Sequence, residues 1–89
     1  MGEGLSQNWT TLWEVLFGYP PDEAFVAGLQ EYLDGEFPRT AFGAGWRADD
    51  MKAALLRISE DARKAGRRAK PPTAGEIKTA IIAIWYERK

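Results

Sequence analysis

Apolar residues in this chain recur at helical spacing in successive blocks and at strand spacing in none, and that periodicity limits the fold more than any single motif. Leu5, Trp9, Leu12, Trp13, Leu16 and Phe17 follow the i, i+4, i+7, i+8 pattern of an amphipathic helix. Ser6 or Asn8 can cap its start. Gly18, followed by Tyr19, Pro20 and Pro21, predicts its end, because glycine takes the left-handed position after a helix and proline cannot continue the hydrogen-bond ladder.

Pro21 suits the first turn of a second helix, where its missing N–H costs nothing, and Asp22 and Glu23 complement the dipole there. Phe25, Val26, Leu29, Tyr32 and Leu33 form its apolar face, and Gly35 is expected to close it. The period then dissolves from Glu36 to Arg47, where Pro38, Gly43 and Gly45 punctuate a loop that carries Phe37, Phe42 and Trp46. Three exposed aromatics would be costly, so they either lid the core or form a binding surface.

Asp49 or Asp50 opens a third helix, whose apolar positions Met51, Ala54, Leu55, Ile58, Ala62, Ala65 and Ala69 predict that it runs to the break at Pro71 and Pro72. Beyond Ile58 only alanines remain on that stripe, so its second half has little to bury, and Gly66 weakens it further. Thr73 and Glu76 are spaced as a capping box for a fourth helix. That helix continues through Ile77, Ile81, Ile82, Ile84 and Trp85 towards Arg88 and Lys89, whose charges suit its end. The expected architecture is therefore all-α: one domain over residues 1–89, a compact bundle of about four helices with an aromatic-rich loop between the second and third.

Composition narrows the function. With 89 residues there is room for one modest core, and four Trp among 45% hydrophobic residues supply it. Cysteine and histidine are both absent, which removes disulfides, thiolate nucleophiles, the commonest general base and the commonest metal ligand. Adjacent acids occur at Asp22 with Glu23, Asp49 with Asp50 and Glu60 with Asp61, yet capping and solvation account for all of them. No calcium-type loop or phosphate-cradling glycine motif is present, so no metal or cofactor is expected and the chain reads as a non-enzyme. Its apolar runs fall far short of the roughly 20 residues a membrane span needs, and its first residues lack the pattern of a signal peptide. A cytoplasmic protein without membrane contact is expected.

Charge is polarised along the chain. Residues 1–45 hold seven acids and one base, while residues 46–89 hold eleven bases and six acids. The asymmetry fits either an anionic partner for the basic half or attraction between the two halves. Arg63, Lys64, Arg67, Arg68 and Lys70 concentrate five cations in eight residues, with Arg57 one or two turns before them. On a continuous helix, residues 63, 67 and 70 would share one face. Nucleic-acid phosphates or an acidic protein surface are its natural partners, and the competing reading is a solvated helix end that complements its own dipole.

Lys70-Pro-Pro-Thr-Ala-Gly-Glu-Ile77 resembles the Phe/Tyr-Pro-Pro-Thr-x-x-Glu/Asp-Ile signature of small phage proteins that load or inhibit the replicative helicase. Trp13-Glu-Val-Leu16 and the segment from Phe25 to Leu33 are similar to that family's Trp-containing helix and the helix after it. The resemblance implies a non-catalytic role in DNA replication, in contact with a ring helicase or an initiator protein and with single-stranded DNA. A binding or adaptor protein is thus expected, with the basic segment as anion contact and Phe42, Trp46 and Trp85 as apolar anchors for a protein partner. The alternative is a structural, oligomerising protein whose surplus aromatics bury against a second copy.

Overall fold

Four α-helices carry the chain through residues 9–38 and 45–87, the parts that the computed structural model describes. They are α1 (Trp9–Phe17), α2 (Glu23–Glu36), α3 (Ala48–Lys64) and α4 (Ala74–Glu87), with no strand among the described residues. Leu5, Ser6, Asn8, Phe42, Gly43, Arg88 and Lys89 lie outside those residues.

Local chemistry explains most of the boundaries. Gly18 leaves α1 at φ +93°, and its N–H closes the helix on Glu14 O at 2.8 Å. Asp22 caps α2 by accepting from Ala24 N–H at 3.1 Å, so Glu23 is the first helical residue. Thr73 and Glu76 form the anticipated reciprocal box at the start of α4. Thr73 N–H donates to Glu76 Oε1 at 2.8 Å, and Glu76 N–H donates to Thr73 Oγ1 at 3.2 Å.

Pro21, expected in the first turn of α2, precedes its Asp22 cap, and three further boundaries differ from those the sequence suggests. Gly35 does not end α2, which continues to Glu36 and is closed by Phe37 N–H on Leu33 O at 2.8 Å. Packing accounts for this, because the Phe37 ring stands edge-on to Trp85 at 4.9 Å between centroids and holds the chain on the helical path for one more residue. At the start of α3, Arg47 is the capping position, and its N–H donates to Asp50 Oδ2 at 2.9 Å.

The third difference bears on function: α3 stops at Lys64 instead of running on to Pro71. Gly66 takes φ +73°, Arg67 N–H returns to Ala62 O at 2.8 Å, and Gly66 N–H returns to Arg63 O at 3.0 Å. These two bonds are the Schellman termination, with glycine in the left-handed position it adopts without a Cβ clash. Continuing the helix would have buried little beyond Ala62, so the glycine exit meets no opposition from packing. Gly66→Ala is accordingly expected to destabilise by about 1–2 kcal/mol, the cost of a left-handed alanine. A glycine inside a helix would give the opposite sign, and the urea midpoint of the variant decides between them.

The helices pair unevenly. The most extensive packing joins α3 to α4, while α1 rests on α3 and α2 on α4. The α3–α4 pair is antiparallel, since Trp85 near the end of α4 donates Nε1–H to Asp50 Oδ1 at the start of α3. Leu29, Leu33, Met51, Leu55, Ile77 and Ile81 are the largest fully buried side chains, joined in the core by Trp9 and Trp13. Trp13 links α1 to α2, its ring lying 5.2 Å from Phe17 and 5.4 Å from Phe25. No helix among the described residues is long and apolar enough to cross a membrane.

Candidate functional site

The early end of α3 changes what the basic segment is. Arg63 and Lys64 occupy the last helical turn, where their charges offset the negative end of the dipole. Arg67, Arg68 and Lys70 have left the helix altogether, so residues 63, 67 and 70 share no helical face. They belong instead to a strap that joins α3 to α4. The strap is fixed at one end by the Gly66 termination and at the other by the buried Pro72 and the Thr73–Glu76 box. Arg63, Lys64, Arg67, Arg68 and Lys70 are all exposed, and none forms a salt bridge with a carboxylate of the described residues.

One ion pair among the described residues joins the acidic and basic halves, at another position, and a second lies within the basic half. Lys78 on α4 forms an ion pair with Glu36 on α2. Arg57 Nη1 meets Glu87 Oε2 at 2.6 Å, tying the middle of α3 to the end of α4. The hydrogen bond that Lys78 donates to Glu36 raises the Lys78 pKa, and the one that Arg57 donates to Glu87, with the charge of that carboxylate, raises the Arg57 pKa. Raised pKa values on bases stabilise the fold fully below their unfolded values and lose that contribution only as pH climbs through the folded ones. These bases therefore add no pH dependence near neutrality. Arg57 precedes the strap in sequence but is already engaged.

Of the three aromatics expected to anchor a protein partner, Phe42 lies outside the described residues and the other two lie elsewhere. Trp46 and Trp85 are half-buried against the core, as is Phe37. Trp46 donates Nε1–H to Asp34 Oδ1 at 2.8 Å, and Trp85 is held by Asp50 and by the Phe37 ring. Both tryptophans stand at the start of α3 and the end of α4, whereas the strap joins the other ends. From Asp50 to Lys64 the helical rise alone is about 20 Å. The cations and the tryptophans therefore belong to opposite ends of the α3–α4 hairpin.

Asp50 is the residue that sequence reasoning undervalued. It is 5% exposed and receives both Arg47 N–H and Trp85 Nε1–H. The capping part of this role has a signal, an acid three residues after the helix-start position; the contact with Trp85, 35 residues away, has none. The other adjacent acids stay on polar faces: Asp22 caps α2, and Glu60 and Asp61 are exposed on α3. Asp61 and Glu76 also line an open groove between α3 and α4, together with Arg57, Ile58, Ala80 and Ala83.

The sequence matches no protein-family model and no curated protein, and the fold matches no solved structure.

Proposed function

We propose that this chain is a non-catalytic binding protein of the adaptor type, which docks an anionic macromolecule on the strap from Arg63 to Lys70. The observation that carries this reading is the strap itself. Five exposed cations, without a salt-bridge partner among the described residues, sit on a segment anchored at both ends. Holding like charges together in this way raises the energy of the free protein and is relieved by a polyanion. The bland account, a helix end complementing its dipole, covers Arg63 and Lys64 but leaves Arg67, Arg68 and Lys70 without a role.

A cytoplasmic accessory role in DNA replication, in contact with nucleic acid or a ring helicase, is the setting that the resemblance of Lys70 to Ile77 implies. Those residues share Lys70 with the cations and lead through the buried Pro72 into the start of α4, where Ile77 joins the core. The oligomerising alternative finds less support. Trp9 and Trp13 are buried within the monomer, and Trp46 and Trp85 are half-buried with their indole N–H groups already bonded, so the large apolar side chains left exposed for a second copy among the described residues are Val15, Tyr19, Leu56 and Tyr86.

Retention on immobilised heparin tests the proposal. Wild-type protein should be retained at about 50 mM salt, and a variant with Arg63→Ala, Arg67→Ala and Arg68→Ala should elute with the void while keeping its helical circular dichroism, since all three side chains are exposed. Wild-type protein that fails to bind, or a triple variant retained as strongly, removes the strap as the docking surface.

A further inference from the structure

We infer that the strap takes nucleic acid through its phosphate backbone, with neither a recognition helix in the major groove nor a ring stacked on unpaired bases. This rests on the proposed docking role of the strap and names its ligand and mode of contact.

Three features lead to it. Reading a base sequence in the major groove requires a helix or a two-stranded ribbon that carries side chains into it. Of the strap's five cations only Arg63 and Lys64 are helical, in the last turn of α3. The next helix opens with Ala74, Gly75 and Glu76, whose only charge is a carboxylate turned back onto Thr73 N–H. Neither helix end presents a recognition surface.

Reading unpaired bases requires aromatic rings for stacking. No aromatic residue occurs between Trp46 and Trp85, and those two bound the far end of the hairpin. The strap can therefore approach a strand with charge but has no ring of its own to stack on it.

An acidic protein is disfavoured by what surrounds the cations. Protein interfaces place apolar anchors at their centre and deplete charge there. Within the strap, Ala65 and Gly66 are small, Ala69 is half-buried and Pro72 is buried. A phosphate backbone needs no apolar anchor, because counterion release supplies the free energy.

The counterion arithmetic gives the test its scale. Five neutralised phosphates set a slope of log affinity against log salt of about −4.5 for duplex DNA and about −3.5 for single strands. In anisotropy titrations, labelled duplexes equal in length and different in sequence should give affinities within about threefold of one another, and so should labelled single strands among themselves. Arg67→Ala and Arg68→Ala should each lower the slope by about one. Tryptophan emission should not change at saturation.

A sequence preference above about tenfold, quenching of tryptophan, or a slope unmoved by both substitutions overturns the inference. Tighter binding of polyglutamate than of duplex DNA also overturns it, in favour of an acidic protein partner. Loss of heparin retention by the wild type would remove the proposed function as well, whereas heparin binding without DNA binding removes this inference alone.

Discussion

Leu55→Ala is expected to destabilise the protein by about 3 kcal/mol, within the range of roughly 2–5 kcal/mol for truncating a buried leucine. Leu55 is 0% exposed and lies midway along α3, the helix that packs against both α1 and α4. Deleting three carbons there removes apolar burial and leaves a cavity that two rigid neighbours cannot readily close. The chain has no cysteine and hence no disulfide to hold the bundle together. A domain of this length has about 4–13 kcal/mol of total stability, so the loss is a large share of it. The melting temperature should fall by about 12–24 °C. The adjacent Leu56 is 45% exposed, and Leu56→Ala should change stability by less than about 0.5 kcal/mol. Urea midpoints of the two variants make the comparison, and equal effects would mean that α3 does not present Leu55 to the core.

The same helix marks how much of this fold was legible from sequence. Periodicity identified the four helices because each buries one stripe, and Gly18 and the Thr73–Glu76 box end and begin helices by chemistry contained in a few consecutive residues. The end of α3 was not legible in that way. Alanine, arginine and lysine favour helix on both sides of Gly66, so local propensity alone does not choose between a helix weakened at that glycine and one ended by it. What ends the helix is a balance between a glycine that can turn left-handed and a stripe with nothing beyond Ala62 to bury, and only the tertiary structure sets that balance. Gly35 shows the reverse case. There the helix continues past a glycine because Phe37 is drawn onto Trp85.

The candidate site divides along the same line. Its composition was legible, since five cations without an acid need no structure to be noticed. Its shape was not, because the helical face attributed to residues 63, 67 and 70 depended on where α3 ends. The distance between cations and tryptophans was equally hidden, for it follows from the antiparallel pairing of α3 with α4. Phe37 and Trp46 pack on the core as a lid, one of the two roles their loop allowed.

Asp50→Ala should separate the stability of the bundle from the action of its strap. Asp50 is buried and serves two elements at once, capping α3 through Arg47 N–H at 2.9 Å and holding the end of α4 through Trp85 Nε1–H at 3.1 Å. Removing the carboxylate forfeits a cap, worth about 1 kcal/mol, and leaves a partly buried indole N–H without that acceptor, at a further cost of about 1–3 kcal/mol. A total loss of about 2–4 kcal/mol is expected in chemical denaturation. Asp50→Asn should fall between the variant and the wild type, since its single carbonyl oxygen can replace only part of what two carboxylate oxygens accept. The strap lies about 20 Å of helical rise away, so Asp50→Ala, assayed at a temperature where it is folded, should elute from heparin at the wild-type salt concentration. The triple strap variant should show the converse, with elution lost and the denaturation midpoint kept. If Asp50→Ala shifts elution as well, the two ends of the hairpin are coupled, and the strap's geometry depends on how α3 and α4 are clamped at their far end.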